Sequence, residues 1–433
     1  MYKYVIDGGY PLNGTIRASG NKNAALPCIA ATLLAGEEVV LRNVPDIEDV
    51  HVMAEILRSL GCEARQERSP QGDCGTWRFN GAGLNTSEIS PEMARKIRAS
   101  ILFAGPLLAR TGSVTLPPPG GDVIGRRRLD THFVALEGLG ALVKTDGVFV
   151  LTAHKLVGNE LFLDETSVTA TENAIMAAVT AEGETVIENA ASEPHVQDLC
   201  NLLNAMGARI TGIGSNILRI TGVEKLHGAE FKLGADFMEV GSFIGLASVT
   251  RGELTIEGAD PRHLKMTRIA FAKLGIRWET EGSSIHVPAR QNLRVVPDLG
   301  GMIPKIDDSP WPGFPPDLTS IMTVVATQVE GTILIHEKMF ESRMFFVDKL
   351  IAMGARIVLC DPHRAVVSGP ARLSGSQLTS PDVRAGMAMV LAALCAEGRS
   401  VILNVYQIER GYEHLTRRLR ALGAHMERVT VSE

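Results

Sequence analysis

The sequence of 433 residues lacks the features that mark membrane, secreted and nucleic-acid-binding proteins. No segment approaches about 18 uninterrupted apolar residues, so we expect no membrane span. The first residues, Met1 to Asp7, lack the apolar core of a signal peptide and favour a first strand. The formal net charge of −6 argues against general nucleic-acid binding, which needs a concentrated basic surface. These absences predict a cytoplasmic protein with no membrane or nucleic-acid partner, and they leave its oligomeric state open.

Cysteine is also scarce, and its spacing argues against disulfide and zinc frameworks. The six cysteines are scattered without paired spacing, which at this chain length indicates reduced, mostly buried thiols. The segment Cys360-Asp361-Pro362-His363 places two metal-ligand types together, but no second pair lies near it in the sequence. A strand end followed by a turn is the favoured interpretation. We therefore expect no metal site and no cofactor.

What the sequence does contain is a sixfold repeat. Six amphipathic helical patterns end in a bulky residue followed by glycine and then a strand, and a left-handed backbone at such a glycine costs little because it has no Cβ. A second glycine precedes each of these by roughly 23 to 28 residues, a regularity typical of stacked supersecondary units. The helix-ending glycines are Gly61, Gly140, Gly207, Gly275, Gly354 and Gly423, and the earlier ones are Gly36, Gly112, Gly183, Gly252, Gly331 and Gly398.

Each repeat is predicted to run helix, strand, helix, strand, strand. Its first helix is rich in small residues, as in the segment 24–31, and is apolar on most faces, so it belongs inside a domain. Six such units predict an α/β protein of two lobes with three units each. We expect the N-terminal lobe at 22–236 and the C-terminal lobe at 1–21 plus 237–433, with chain crossings near Lys22 and Asp236. Two chain crossings would form a hinge between the lobes, and ligands favour the clefts found at such hinges.

Several basic side chains stand at repeat junctions or in loops against this acidic background. For any one of them, a surface charge or an ion pair with a nearby acid is the more common explanation. Lys22 is harder to explain in that way, because a cation at the start of a buried helix is unfavourable unless an anion binds there. Together the set predicts a cleft for a multiply charged anion. Its members are Lys22, Arg98, Arg126, Arg127, Arg128, Arg343, Arg384 and Arg410.

A glycine loop runs from Leu116 to Gly125 and contains Asp122. Three prolines stiffen its approach and glycines free its tip, an arrangement suited to a lid that closes over a ligand. The loop matches neither the phosphate-binding P-loop nor a dinucleotide fingerprint, so by itself it assigns no ligand.

Seven segments, in order along nearly the whole chain, resemble the signatures of the UDP-N-acetylglucosamine enolpyruvyl transferase family. The related shikimate-pathway enolpyruvyl transferases share the six-unit fold, but they would show Lys-Ser and then Asn-Arg-Ala where this chain has Lys22-Asn23-Ala24-Ala25. The segments are Ala18-Ser19-Gly20-Asn21-Lys22-Asn23-Ala24-Ala25-Leu26-Pro27, Ile97-Arg98-Ala99-Ser100, Gly120-Gly121-Asp122-Val123-Ile124-Gly125, Phe314-Pro315-Pro316-Asp317-Leu318, Phe340-Glu341-Ser342-Arg343, Asp382-Val383-Arg384-Ala385 and Ile408-Glu409-Arg410-Gly411-Tyr412-Glu413.

This resemblance implies an inside-out α/β barrel in each lobe and a reaction by addition and elimination. A general acid protonates the methylene carbon of phosphoenolpyruvate, the sugar 3-hydroxyl attacks C2 as a base takes its proton, and phosphate then leaves. The resemblance assigns Asp122 as the acid and Asp317 as the base, with Lys22 and Arg410 as further catalytic residues.

The same resemblance implies the binding residues for both substrates. For phosphoenolpyruvate, they are Lys22, Arg127 and Arg410 at the phosphate, Arg343 and Arg384 at the carboxylate, and Asn23 beside them. For UDP-N-acetylglucosamine, they are Asn23 near the acetamido group, Arg98, Arg127, Arg128, Leu129, Asp130, Thr131, Glu165, Thr166, Ser167, Val168, Asp317 and Met339. The helix start at Ser167 can offer backbone N–H groups to the diphosphate. A plain serine N-cap explains the same residue.

Three positions depart from the family pattern. The commonest loop has Cys at the position of Asp122, and that thiol is the target of epoxides such as fosfomycin. Because a carboxyl group acts as an acid only while protonated, we expect a raised pKa for Asp122 in a closed site, and resistance to fosfomycin. Arg128 stands where Pro is usual and Thr169 where Gly is usual, which leaves room for a modified sugar nucleotide.

The implied function is the first committed step of peptidoglycan precursor synthesis, and hence a role in cell-wall biogenesis, cell shape and division. Two alternatives stay open. One is an enolpyruvyl transferase for another acceptor, and the other is a catalytically silent paralogue that binds the nucleotide sugar.

Overall fold

The computed structural model describes residues 2–67, 75–121, 125 and 127–431. Their contacts divide the chain into two compact units. The first unit comprises the described residues of 1–18, 122–127 and 235–433, and the second comprises those of 19–121 and 128–234. None of the helices in these ranges is long and apolar enough to cross a membrane. The lobes expected at 22–236 and at 1–21 plus 237–433 stay a prediction.

The strands of the described residues are numbered here in chain order. They are β1 Tyr2–Asp7, β2 Gly14–Arg17, β3 Glu38–Val44, β4 Glu63–Glu67, β5 Gly75–Asn80, β6 Ser113–Leu116, β7 Leu142–Asp146, β8 Val148–Thr152, β9 Glu160–Phe162, β10 Glu184–Glu188, β11 Arg209–Thr211, β12 Ile217–Thr221, β13 Glu230–Lys232, β14 Leu254–Glu257, β15 Glu279–Glu281, β16 Ser284–Val287, β17 Lys305–Asp307, β18 Gly331–His336, β19 Arg356–Asp361, β20 Arg364–Gly369, β21 Gln377–Thr379, β22 Arg399–Leu403 and β23 His425–Thr430.

The α-helices follow the same numbering. They are α1 Lys22–Ala31, α2 Glu48–Ser59, α3 Pro91–Lys96, α4 Ala104–Thr111, α5 Asp130–Gly138, α6 Val168–Ala178, α7 Pro194–Ala205, α8 Phe237–Thr250, α9 Lys265–Ala272, α10 Thr319–Thr327, α11 Val347–Ala352, α12 Val383–Cys395, α13 Tyr406–Glu409 and α14 Leu415–Ala421. Short 3-10 turns occur at Thr32–Leu34, Arg98–Phe103, Pro261–Leu264, Leu299–Gly301, Pro316–Leu318 and Arg343–Phe346.

In the second unit, three small sheets accompany three buried helices. The strand orders are β13-β3-β5-β4, β11-β12-β10-β9 and β6-β8-β7. The helices α1, α4 and α6 are buried along most of their length, whereas α2, α5 and α7 keep an exposed face. One apolar core joins these elements.

The first unit repeats this plan with strand orders β21-β22-β1-β23, β15-β16-β14-β2 and β17-β18-β20-β19. The N-terminal strand β1 lies between β22 and β23, antiparallel to both, and β2 pairs in parallel with β14. The helices α8, α10 and α12 form the interior, and every residue of α8 is buried. The interior position predicted for the small-residue helices is confirmed. A helix that is apolar on all faces is stable only when other elements surround it.

Glycine permits the close packing of these interior helices. A Cβ at Gly241 would lie 2.6 Å from the Leu318 side chain, and one at Gly245 would lie 2.8 Å from Ile321. The six glycines predicted to end outer helices are confirmed in the left-handed region, with φ between 76° and 106°. Each would place a substituted side chain in a strained backbone conformation.

Side-chain N-caps fix where the interior helices begin. Asn21 caps α1, Ser167 caps α6, Asp236 caps α8 and Asp382 caps α12, each by accepting backbone N–H hydrogen bonds. Three of these helix starts present residues that the sequence nominates for binding or catalysis. The capping residues therefore set the backbone positions of those side chains.

The Cys360–His363 segment is the turn between β19 and β20, as predicted. Asp361 Oδ1 accepts hydrogen bonds from the backbone N–H of His363, at 2.8 Å, and of Arg364, at 2.9 Å. Among the residues that the structure describes, no group of three or more His, Cys, Asp or Glu side chains is placed to hold a metal ion.

Candidate active site

In the first unit, one carboxylate and two guanidinium groups form a buried ion cluster. Arg343 Nη2 donates to Asp317 Oδ1 at 3.0 Å, and Arg384 Nε donates to Asp317 Oδ2 at 3.0 Å. Asp317 lies in the 3-10 turn before α10, Arg343 opens the turn after β18, and Arg384 is the second residue of α12. Three nominated residues from distant segments are thus brought together.

The cluster is shielded from water, yet one arginine keeps unused donors. Arg343 and Arg384 are each 5% exposed, whereas the Asp317 side chain is 22% exposed. Burial disfavours the charged form of Arg343, but neighbouring carboxylates, Asp317 foremost, hold its pKa above the usual value. Its Nε and Nη1 atoms are buried without a hydrogen-bond partner. Such donors can bind an anion that reaches the cluster.

A hydroxyl chain fixes Arg384 from its other side. Arg384 Nη1 donates to the Tyr412 hydroxyl at 3.2 Å, and that hydroxyl lies 2.9 Å from Ser242 Oγ. Ser242 donates its own hydrogen to the Met238 carbonyl at 2.9 Å, so Tyr412 is the donor to Ser242. The direction of every hydrogen bond in the chain is therefore determined, and the Arg384 guanidinium is held in one orientation.

Three further nominated or neighbouring residues lie in this unit. Arg410 follows α13, is 5% exposed and donates from Nη1 to Gln407 Oε1 at 2.8 Å. Met339 lies after β18 and is 37% exposed. Gly125, with φ of 119°, is packed so closely against Glu341 that a Cβ there would collide with that side chain. A substituted side chain at Gly125 would therefore be strained in its backbone and would require the Glu341 side chain to move.

In the second unit, Lys22 opens α1 and has an acidic partner of its own. Its Nζ lies 2.7 Å from Asp49 Oδ2, and both side chains are buried. The neighbouring Asn23 donates its backbone N–H to Asn21 at 2.8 Å and is half-buried. The ion pair with Asp49 offsets the unfavourable position of the cation at a helix start, without requiring a bound anion.

A second group of nominated residues surrounds the start of α5. Arg128 Nη2 donates to Asp164 Oδ2 at 2.9 Å, and its Nε donates to Asp130 Oδ2 at 3.3 Å. Thr131 Oγ1 donates to the other oxygen of Asp164 at 2.8 Å, and Arg98 Nη2 donates to the Arg128 carbonyl at 3.2 Å. Arg127 and Leu129 on either side of Arg128 are half-buried. Arg128 thus ties the start of α5 to the segment before α6.

Residues 165–168 follow Asp164 and lead into the N-terminus of α6. Glu165 is exposed, whereas Thr166, Ser167 and Val168 are half-buried. Thr166 Oγ1 donates to Asn189 Oδ1 at 2.7 Å, and Ser167 Oγ accepts from the Ala170 N–H at 3.4 Å. Ser167 is therefore an N-cap, as its alternative explanation predicts, and this role is compatible with anion binding at the same helix start.

Thr169, which stands where the family pattern has glycine, is a hydrogen-bond partner of the buried side chain of His132. Asn173 Oδ1 accepts from the Gly105 N–H at 2.8 Å, so its amide NH₂ faces both the Ile101 carbonyl and His132 Nδ1, each at 2.9 Å. His132 Nδ1 must then be unprotonated, and Nε2–H donates to Thr169 Oγ1 at 3.0 Å. Burial, assisted by the charge of Arg98, lowers the pKa of His132 to about 3. The ring is therefore neutral at physiological pH.

The glycine loop begins against the turn that carries Arg98. A Cβ at Gly120 would collide with the Arg95 carbonyl, and one at Gly121, where φ is 107°, would lie 2.7 Å from Arg98 Cβ. These glycines therefore serve close packing as well as backbone freedom. Asp122, Val123, Ile124 and Arg126, which the sequence nominates or places in this loop, lie outside the described residues.

Several residues that shape these sites were not among those predicted from the sequence. Tyr412 lies in a segment quoted for the family resemblance, but nothing in its spacing indicates a bond to Arg384. Asp49, Asp164 and His132 are partners whose proximity depends on the tertiary fold. A buried acid on an amphipathic helix, such as Asp49 on α2, is the one available signal, because a buried charge requires a partner.

Comparison with known proteins defines the class. The family model for EPSP synthase (3-phosphoshikimate 1-carboxyvinyltransferase) matches residues 6–419. The fold is similar to that of the enolpyruvyl transferase NikO from Streptomyces tendae, with a TM-score of 0.87 at 24% identity, covering 100% of this chain and 99% of the other. It is also similar to EPSP synthase from Acinetobacter baumannii, with a TM-score of 0.74 at 18% identity and 99% and 100% of the two chains covered. The chain belongs to this enolpyruvyl transferase family, and the predicted fold class is confirmed.

Within that family, close relatives share one name. The chain is 66% identical over 427 residues to the UDP-N-acetylglucosamine 1-carboxyvinyltransferase of Treponema denticola (strain ATCC 35405), covering 99% of each chain. It is 56% identical over 427 residues to the enzyme of that name from Bradyrhizobium diazoefficiens, covering 99% of this chain and 98% of the relative. The resemblance stated from the sequence is confirmed.

Proposed function

We propose that this protein transfers the enolpyruvyl group of phosphoenolpyruvate to the 3-hydroxyl of UDP-N-acetylglucosamine and releases phosphate. The buried cluster of Asp317, Arg343 and Arg384 is the observation that carries the proposal. It combines a carboxylate that can take a hydroxyl proton with two guanidinium groups that suit a carboxylate substrate. The full-length relatives at high identity support the same activity.

Asp317 is the proposed base for the sugar hydroxyl. Two guanidinium hydrogen bonds fix its carboxylate, and its partial exposure allows a substrate hydroxyl to approach. A general base must reach the proton that it removes within hydrogen-bond distance, and such catalysis contributes about 10²–10⁴-fold. As the hydroxyl oxygen attacks C2 of phosphoenolpyruvate, the C3 methylene carbon takes a proton from Asp122, the proposed acid. In the elimination, C3 returns a proton to the Asp122 carboxylate as phosphate leaves from C2.

The cationic residues are proposed to hold the two ends of phosphoenolpyruvate. Arg343 and Arg384 face its carboxylate, and the unpartnered Nη1 of Arg343 supports this assignment. Lys22, Arg127 and Arg410 hold its phosphate, with Asn23 beside them. Prearranged cations of this kind stabilise charge that redistributes in the transition state, and they cost no reorganisation during the reaction.

Asp122 is the proposed acid, so its carboxyl group must be protonated when phosphoenolpyruvate is bound. We expect this requirement to make the enzyme insensitive to fosfomycin, because a carboxylate is a poorer soft nucleophile than a thiolate. The matched variant Asp122→Cys restores the thiol, and we expect time-dependent inactivation of that variant alone. Rapid covalent inactivation of the wild type at Asp122 contradicts the assignment, and mass spectrometry of the labelled peptide measures it.

We propose a nucleotide-sugar site built from the residues that the family resemblance implies. Its network of Arg128, Asp130, Thr131 and Asp164 supports a rigid site, because each charged group in it has a partner. The proposed contacts are Asn23, Arg98, Arg127, Arg128, Leu129, Asp130, Thr131, Glu165, Thr166, Ser167, Val168, Asp317 and Met339. The N-terminus of α6 suits the diphosphate.

One observation favours an alternative acceptor. Arg128 bridges two aspartates inside the proposed nucleotide site, which adds a fixed charge where the family pattern has proline. A sugar nucleotide whose polar groups differ from those of UDP-N-acetylglucosamine where they meet this network would be the alternative acceptor. In the cell, the proposed reaction is cytoplasmic and commits UDP-N-acetylglucosamine to peptidoglycan precursor synthesis, and thereby to cell-wall biogenesis, cell shape and division.

The test is phosphate release from phosphoenolpyruvate with each acceptor in turn. We expect release with UDP-N-acetylglucosamine and none with shikimate 3-phosphate, and a strong loss in Asp122→Ala. Release with shikimate 3-phosphate alone assigns the other acceptor. No release with either acceptor, from a folded enzyme that binds UDP-N-acetylglucosamine, assigns a silent nucleotide-sugar-binding protein.

A further inference from the structure

Beside the Arg343 guanidinium lie two buried acidic side chains, Glu337 and Asp308, which interact electrostatically. Glu337 follows β18 and Asp308 follows β17, and neither is exposed to solvent. Their backbones are tied together, because the Asp308 N–H donates to the His336 carbonyl at 3.3 Å and the Lys338 N–H donates to Asp308 Oδ1. Glu337 Oε2 lies 3.9 Å from Arg343 Nε. The acidic pair is therefore part of the wall that supports a proposed substrate-binding arginine.

If both Glu337 and Asp308 were ionised, several of their oxygen atoms would be buried acceptors without a hydrogen-bond donor. Asp308 Oδ2, Glu337 Oε2 and Thr319 Oγ1 are buried without a hydrogen-bond partner, as are Nε and Nη1 of Arg343. The Arg343 Nε atom reaches Glu337 Oε2 only as a long ion pair at 3.9 Å. Two adjacent carboxylates in a dry site repel each other, and unpaired buried acceptors cost free energy. A single proton held between the two acids removes the repulsion and turns one acceptor into a donor.

We propose that Glu337 and Asp308 share one proton and act as positioning residues that hold Arg343 for the substrate carboxylate. With the proton in place, the pair carries one negative charge, which orients the guanidinium without cancelling its attraction for the substrate. Loss of the proton adds a second negative charge behind Arg343 and weakens binding of an anionic substrate. The substrate part of this inference rests on the proposed function.

The electrostatic surroundings agree with a protonated Glu337 at neutral pH. Burial raises the pKa of Glu337 to about 9; the charge of Arg343 lowers it, and Asp308 raises it further. His363, from the turn between β19 and β20, faces the Glu337 backbone and places Nδ1 2.7 Å from its carbonyl. From the start of α10, Thr319 faces the same carboxyl group.

Other charged groups act on the pair through Arg343. Asp317 accepts from Arg343 Nη2, and the charges of Asp382 and Arg384 on the α12 side also influence its guanidinium. None of these three groups donates a hydrogen bond to Glu337 Oε2. Loss of the Glu337 proton at alkaline pH therefore adds a negative charge beside Arg343 and changes the electrostatic potential at its guanidinium.

The experiment compares Glu337→Gln, Glu337→Ala and Asp308→Asn with the wild type and with Glu330→Gln, an exposed control whose side chain pairs with Arg294. The readouts are KM for phosphoenolpyruvate and kcat between pH 7 and 10, and thermal unfolding over the same range. We expect the wild-type KM to rise about tenfold per pH unit above the pKa of Glu337. Glu337→Gln, a permanent mimic of the protonated acid, should show no rise from this source, whereas Glu330→Gln should follow the wild type.

The alanine variant separates positioning from protonation. Because Glu337→Ala leaves Arg343 without its neighbour, we expect KM for phosphoenolpyruvate to increase about tenfold at every pH, with a smaller change in kcat. Superimposed KM profiles for wild type and Glu337→Gln overturn the proposal, and so does an unchanged KM in Glu337→Ala.

Unfolding tests the shared proton without depending on activity. Between pH 6 and 9, folded wild-type protein keeps the Glu337 proton, whereas the unfolded chain loses it. Rising pH therefore destabilises the wild type relative to Glu337→Gln. A parallel pH dependence of Tm in the two proteins overturns the shared proton. If the wild type shows no transferase activity but the Tm difference is found, the proposed function fails while the shared proton stands.

Discussion

The two ion networks of this protein differ in how far they are removed from water. In the first unit, Asp317 joins two arginines that are almost wholly buried. In the second unit, Arg128 joins Asp130 and Asp164 with all three side chains at least 37% exposed. Charged groups in a dry site depend on their partners, because an unpaired buried charge is costly, whereas exposed pairs contribute little. The first network is therefore suited to chemistry and the second to recognition.

The comparison is sharpest at Asp317. We expect Asp317→Asn to lower kcat for phosphate release by about 10²–10⁴-fold, because the amide cannot accept the hydroxyl proton. Asp298→Asn is the matched control, since Asp298 pairs with Lys273 on the surface at 3.5 Å. Activity of Asp317→Asn within tenfold of the wild type, in protein with an unaltered far-ultraviolet spectrum, removes Asp317 as the base.

Arg384 should show the next largest effect. Arg384→Gln is expected to lower kcat/KM for phosphoenolpyruvate by about 10²-fold. It should lower the free energy of unfolding by about 1.5–3 kcal/mol, because Asp317 loses one of its two charged partners and keeps Arg343. Tyr412→Phe removes only the hydroxyl beyond Arg384 and should cost about 1 kcal/mol. Denaturant unfolding and steady-state kinetics measure both variants. Equal effects of the two substitutions contradict the importance of the guanidinium itself.

His132 gives a pH test of the second unit. Its pKa is about 3 in the folded state and about 6.5 when unfolded. The unfolded chain therefore binds this proton first, and the stabilisation from neutral His132 is lost as pH falls from 6.5 toward 3, by about 1.4 kcal/mol per pH unit. In His132→Gln, we expect a shallower loss of stability than in the wild type, while the exposed control His154→Gln should follow the wild type. Parallel curves for wild type and His132→Gln contradict this account.

Arg128 should show the smallest effect. Because its ion pairs are exposed, Arg128→Gln should lower the free energy of unfolding by about 0.2–1 kcal/mol. We expect KM for UDP-N-acetylglucosamine to change by about threefold or less, and the difference to shrink at high salt. A large loss that salt does not reduce assigns Arg128 a direct role in acceptor choice.

Much of the fold could be predicted from local patterns. The six glycines that end outer helices and the small-residue helices of the interior depend on short-range backbone and burial rules, and these were confirmed. The pairing of β1 with β22 and β23 joins residues from opposite ends of the chain, and it is a property of the tertiary fold.

The site was only partly accessible from the sequence. Asp317, Arg343 and Arg384 came from family resemblance, and the roles assigned to them stay predictions. The partners that orient them were not predicted, because Tyr412 and Glu337 have no local signature and their meaning depends on which buried charge lies beside them. The Lys22–Asp49 pair shows the same limit, since a cation at a helix start indicates an anion without saying whether protein or substrate supplies it.

The central claim is an addition followed by an elimination on a nucleotide-sugar acceptor, and one mass spectrum tests both parts. The enzyme is incubated in D₂O with phosphoenolpyruvate and UDP-N-acetylglucosamine, and the nucleotide product is analysed. Protonation and later deprotonation of the methylene carbon predict carboxyvinyl-UDP-N-acetylglucosamine with deuterium in its vinyl group. Unchanged UDP-N-acetylglucosamine, or a carboxyvinyl product without deuterium, contradicts the account.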